Sequence, residues 1–191
     1  AGTLITTGVR NTVIGGLAGA SLTTGNYNTA LGYGALYTED AHGNNTAIGY
    51  QALVTQNAGV DAYNTAVGHQ AGTDITTGAQ NTLIGALAGS SLTTGEKNTA
   101  IGKSALLTED TGDRNVAVGW GALQTLNYDG SGYNVAVGYD AGVNMSTGIQ
   151  NTLIGGLAGD ALTTGSYNIA IGHGALQAED AHGKNIAIGR Q

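Results

Sequence analysis

A five-residue unit, Asn followed by Thr, Val or Ile, then Ala, Val or Leu, then Ile, Val or Leu, then Gly, recurs eleven times in this chain. Its asparagines are Asn11, Asn28, Asn45, Asn64, Asn81, Asn98, Asn115, Asn134, Asn151, Asn168 and Asn185. The spacing runs 17, 17, 19, 17, repeats that order, and continues 17, 17, so a 70-residue period of four short units is superposed on the first. Asn81–Gly89 and Asn151–Gly159 are nearly the same segment. A register held this strictly is the signature of a repeat architecture. Seventeen residues are too few for a helix pair, and the unit has no 3.6-residue apolar period. The expectation is an all-β fold: a parallel β-solenoid of 17- to 19-residue coils, with residues 1–191 forming one array of about eleven coils. At about 4.8 Å per coil the rod is roughly 50 Å long.

Composition narrows the function classes. Of 191 residues 34 are glycine and none is proline, so a collagen helix is excluded. Charged residues make up 10 % and apolar residues 41 %, the reverse of a disordered chain. Six basic residues in a net charge of −7 give no cationic stripe for nucleic acid or anionic lipid. No apolar run approaches the roughly 20 residues of a membrane span. The absence of cysteine removes disulfides and thiol chemistry.

Alternation along the motif places its first and third residues after Asn on one strand face and the second on the other. The first-and-third face is expected to be buried, because Thr there exchanges with Val116, Val135, Ile169 and Ile186. The second position is never polar, and the seventh is Ala in every complete unit, as in Ala35 and Ala105. A strand apolar on both faces is normally covered on both. One thin coil cannot do that, so another copy of the chain is expected to cover the second side. The eighth and eleventh positions are expected to compensate each other, with Leu126 beside Leu123 in a 19-residue coil as the exception. Gly19, Gly72, Gly89 and Gly142 go with Leu22, Ile75, Leu92 and Met145, whereas Leu36, Leu53 and Leu106 go with Glu39, Gln56 and Glu109. That is the pattern of one core filled to constant volume.

Stacked on successive coils, Asn28, Asn45, Asn64, Asn81, Asn98, Asn115, Asn134, Asn151 and Asn168 are expected to form a structural ladder of hydrogen bonds that ties down the turns. Neither end carries a polar cap, as expected of an excerpt from a longer fibre.

The segments Thr24–Leu36 and Asn45–Leu53 resemble the TGxxNTAIGxxAL repeats of bacteriophage tail fibres and related surface fibres, and more distantly the head repeats of trimeric autotransporter adhesins. The adhesin coil is shorter, with Ser where Asn-Thr stands here. The resemblance implies a homotrimer of β-solenoids in a virion or on a cell surface, serving attachment.

The fifth position after Asn carries the most suggestive surface residues. Tyr33, Tyr50 and His69 would form one short ladder along the rod, and Lys103, Trp120 and Tyr139 a second four coils later. Such rungs could hold the rings of a host glycan, or could brace one another and cover a seam between chains. The acidic turns recur once in each four-coil unit, and Glu39-Asp40-Ala41-His42 and Glu179-Asp180-Ala181-His182 could offer oxygen and imidazole ligands, but the middle copy, Glu109-Asp110-Thr111-Gly112, lacks the histidine. They read as solvated turns with at most a weak calcium contact, so no resident metal, cofactor or enzymatic activity is expected. The two extra residues of the longer coils fall in Gln56–Ala62 and Leu126–Gly132, and loops often carry binding. Leu17, Leu87 and Leu157 read as an apolar lock between chains, one in each four-coil unit. The preferred function is a structural and adhesive fibre segment that spaces or presents a receptor-binding tip. A carbohydrate-binding module is the alternative. An ice-binding solenoid, suggested by pairs such as Thr23-Thr24, ranks last.

Overall fold

The computed structural model describes residues 1–190. Each motif forms one three-residue strand: β1 (Thr12–Ile14), β2 (Thr29–Leu31), β3 (Thr46–Ile48), β4 (Thr65–Val67), β5 (Thr82–Ile84), β6 (Thr99–Ile101), β7 (Val116–Val118), β8 (Val135–Val137), β9 (Thr152–Ile154), β10 (Ile169–Ile171) and β11 (Ile186–Ile188). All pair in parallel and in sequence order as one eleven-stranded sheet. Register is motif on motif, for instance Thr29 against Thr46 and Leu31 against Ile48. The result is a β-solenoid of about ten turns, and the described residues contain no helix. Below, coil 1 begins at Asn11 and each later coil at the next motif asparagine.

The core runs along the inside of the coil. It is built from the second residue after Asn (Ala30, Leu83), the seventh (Ala35, Ala105) and whichever of the eighth or eleventh is large (Leu36, Leu92), all fully buried. The faces are thus the reverse of the sequence expectation. The first and third residues after Asn point outward, and Ile14 and Leu31 keep 57 % and 41 % of their surface. Alternation cannot say which of two apolar faces lies inside, and the small Ala is what the tight interior admits. A Cβ on Gly89 would lie 2.7 Å from Leu83 Cδ2 and 2.9 Å from Leu92 Cδ1, so Leu83 and Leu92 fill the space around that glycine. The eighth and eleventh positions do not simply exchange one volume, however: Glu39, Gln56, Glu109 and Leu126 are fully buried beside the equally buried Leu36, Leu53, Leu106 and Leu123.

Coils are joined beyond the strands by the motif asparagines. The backbone N–H of each donates to Oδ1 of the asparagine one coil earlier, without a break from Asn28 to Asn185, at 2.8–3.2 Å. In most coils Nδ2 donates to the carbonyl fourteen residues on, as Asn98 does to Gly112 at 2.7 Å. The 19-residue coils displace that acceptor. Asn45 Nδ2 is left without a partner, and Asn115 Nδ2 turns to the Asp113 carbonyl at 3.2 Å.

Two backbone features close each coil. The motif glycine turns at positive φ against its counterpart in the next coil. At Gly85, φ is +131° and a Cβ would sit 2.6 Å from the Gly102 carbonyl, which excludes every side chain. The residue just before each asparagine also has positive φ, between 51° and 64°, yet it is never glycine. This left-handed conformation costs roughly 1–2 kcal/mol per residue. It aims the N–H at a carbonyl of the preceding coil, as in Lys97 to Ala79 and Arg114 to Glu96, both 3.0 Å.

Candidate functional site

The fifth-position residues follow the motif glycine, so each begins the corner after its strand and projects from the rod one coil above the last. Tyr33 stacks on Tyr50 with ring centroids 5.8 Å apart and planes 12° from parallel, and Tyr50 stacks on His69 at 5.1 Å and 15°. Trp120 stacks on Tyr139 at 5.2 Å and 9°. All five rings are exposed. Lys103 stands one coil below Trp120 and is exposed, but the two cation–π contacts lie elsewhere, as described below. Because the rings stack face to face, the free faces are the ends of each stack. Tyr33 ends over Gly16, where a Cβ would lie 3.2 Å from the Tyr33 ring, and Tyr139 borders Gly156. The neighbouring Asp140 carboxylate raises the Tyr139 phenol above its ordinary value.

A second rank, not singled out from the sequence, is formed by the left-handed residues before each asparagine. Tyr27, Tyr63, Tyr133 and Tyr167 are half exposed there. The Arg10 guanidinium lies 5.2 Å over the Tyr27 ring and Arg114 5.7 Å over Tyr133. The signal was available: every residue at this position is Arg, Lys, Tyr, Asn or Gln. Tyr27 and Tyr33 thus flank the strand that carries the exposed Leu31.

The acidic turns are not uniformly solvated, contrary to the sequence reading. Glu39 and Glu109 are fully buried at the eleventh position, occupying the core volume that Leu22 or Leu92 takes in other coils. Burial raises both carboxyls above the ordinary carboxylate range. Glu109 accepts N–H bonds from Gly112 (2.8 Å) and Asp110 (3.2 Å) on Oε1 and from Tyr128 (3.3 Å) on Oε2. Glu39 Oε1 accepts from His42 N–H at 3.1 Å, while Glu39 Oε2 and His42 Nδ1 have no partner. Glu179 is partly exposed, and the His182 N–H, bonded to it at 2.9 Å, lowers its carboxyl.

Both longer coils fold back over an acidic turn. Asp61 accepts the Gly43 N–H at 2.9 Å, and Tyr128 packs against the core beside Glu109. Residues Gln56, Ala62, Leu126 and Gly132 that bound these loops are buried. Leu17 is exposed, and Leu87 and Leu157 are half-buried. The first threonine of each pair stitches coils: Thr23, Thr76, Thr93 and Thr163 each donate their hydroxyl to a carbonyl of the next coil, at 2.9–3.1 Å. The second ones, Thr24, Thr77, Thr94 and Thr164, are exposed.

No protein-family model, curated protein or solved structure matches this chain.

Proposed function

We propose that this chain is a rod segment of an attachment fibre, a homotrimer on a virion or cell surface that spaces or presents a receptor-binding part. The observation that carries this reading is the outward face of the sheet. Eleven strands set Thr, Val or Ile beside Ile, Leu or Val, with no charged residue, along the whole rod. At about 4.8 Å per strand this is a row of aliphatic third residues some 50 Å long, edged by Thr in seven of eleven strands, and with two outward residues per strand on the order of 500 Å². A continuous band of that extent on a slender rod supports an association surface. Tyrosines and cations border it, as at many interfaces. The sequence resemblance to fibre repeats supports the same reading.

Light scattering after size exclusion tests it. The expected mass is three times that of the 18.9 kDa chain. Ile48→Asp with Ile101→Asp, placed on the band, should reduce it to that of the single chain. An unsubstituted chain that stays at 18.9 kDa at high concentration refutes the trimer.

The exposed stacks Tyr33–Tyr50–His69 and Trp120–Tyr139 favour a second reading, in which the rod itself holds a host glycan. The free end faces at Tyr33 and Tyr139 would carry the sugar. A glycan array probed with the native chain and with Tyr33→Ala separates this reading from a pure spacer.

A further inference from the structure

The chain carries three versions of one acidic turn, and they differ in a way that points to an ion. In coil 6 the turn reads Glu109-Asp110-Thr111-Gly112, and both carboxylate oxygens of the buried Glu109 are satisfied by backbone N–H groups. In coil 2 it reads Glu39-Asp40-Ala41-His42. There a fully buried glutamate keeps one oxygen without a partner, and so does the buried Nδ1 of the imidazole beside it. Leaving two such buried atoms without hydrogen bonds is costly. The turn is also held from both sides. Asn28 Nδ2 donates to the His42 carbonyl at 3.0 Å, Thr23 donates to the Asp40 carbonyl at 2.9 Å, and Asp61 fixes Gly43.

We propose that Glu39, His42 and Asp40 form a binding site for a divalent transition ion of the zinc class. Glu39 Oε1 and His42 Nδ1 are 3.7 Å apart, so one ion can sit about 2.1 Å from each at an angle of about 120°. One carboxylate oxygen of Asp40 lies within 4.8 Å of ligand atoms of both, close enough to complete a facial set after a side-chain rotation, with water in the remaining position. The mixed imidazole and carboxylate donors suit Zn²⁺ better than the all-oxygen preference of Ca²⁺ or Mg²⁺. Bound there, the ion would take up the orphaned imidazole nitrogen, balance the charge of the buried carboxylate through Oε1, which also accepts the His42 N–H, and staple the turn to the core. The coil 10 copy has the same residues but a different state: His182 Nδ1 already lies 2.8 Å from Glu179 Oε1, and the imidazole is 84 % exposed, so this copy binds more weakly. Coil 6 cannot host the histidine in its present conformation, because a Cβ on Gly112 would lie 2.6 Å from the Glu109 carboxylate and the Tyr128 carbonyl.

Calorimetric titration of Zn²⁺ into the chelator-stripped chain at neutral pH tests the site, with circular dichroism to confirm folding. One tight step per chain is expected. Ala41→Thr with His42→Gly gives coil 2 the turn that coil 6 already folds, and should weaken the step about tenfold or more. Ala181→Thr with His182→Gly should leave it in place. Absence of a tight step, its survival in the coil 2 swap, or its loss only in the coil 10 swap overturns the proposal. If the coil 2 swap does not fold, imidazole resonances of the native chain decide: a Zn²⁺-induced shift at His42 supports the site, and shifts confined to His69, His173 or His182 refute it.

Discussion

Asn98→Ala separates what the asparagine ladder contributes from what any small residue would contribute. In coil 6, Asn98 Oδ1 accepts the Asn115 N–H at 2.9 Å and Nδ2 donates to the Gly112 carbonyl at 2.7 Å. Both partners are buried, and alanine leaves both unpaired. At about 1–3 kcal/mol for each buried orphan, the loss is on the order of 4 kcal/mol. Asn45 supplies the control. It accepts the Asn64 N–H at 3.1 Å, but its Nδ2 has no partner. Asn45→Ala therefore orphans one group and removes an orphan, at a cost of about 1 kcal/mol. The volume removed is the same, so cavity terms largely cancel in the comparison. Repeat arrays can unfold piecewise and oligomers unfold in a concentration-dependent way, so the assay must be local and at fixed protomer concentration. Native-state hydrogen exchange at the Asn115 and Asn64 amides, beside urea unfolding, meets both conditions. Protection at Asn115 should collapse in Asn98→Ala, while the global stability of Asn45→Ala stays close to that of the native chain. Equal costs for the two variants would refute the reasoning, since the Nδ2 bond to the Gly112 carbonyl, the one bond that Asn98 makes and Asn45 lacks, would then contribute nothing.

Three further outcomes are expected. Gly89→Ala should cost about 1–3 kcal/mol by overpacking against Leu83 and Leu92, and more through its left-handed backbone. Adding Leu83→Ala opens the space, so denaturation should show the pair costing clearly less than the sum of the singles; strict additivity would sink the shared-volume account. Burial raises the Glu109 carboxyl above its unfolded value, so its contribution to stability is full below that unfolded value and is lost as pH rises through the raised one. Glu109→Gln should therefore flatten the fall in stability as pH rises above the ordinary carboxylate range in urea unfolding, and an unchanged slope would assign the dependence to other groups. Gly85→Ala should prevent β5 and β6 from stacking at all, seen as lost exchange protection in both strands, because its Cβ would meet backbone that cannot move aside.

How much was legible varied with how local the cause was. The coil length and the strand positions follow from spacing, which a sequence states directly. The polar character of the residues before each asparagine was legible, but their left-handed backbone was not: Tyr27 or Lys97 at positive φ is disfavoured by local rules, and the N–H bond to the preceding coil offsets it. Glu39 and Glu109 read as solvated because acidic residues in turns usually are. Their burial depends on backbone N–H groups that converge only once the coil has closed.

The sequence by itself therefore determined that this chain is a parallel β-solenoid, because an in-register repeat of this length can bury its apolar residues only by stacking on itself. The tertiary structure decided which face is inside. Both strand faces are apolar, so alternation is blind to the choice. The narrow interior takes alanine and one large residue per coil, which turns the branched residues out as the rod's exposed flank.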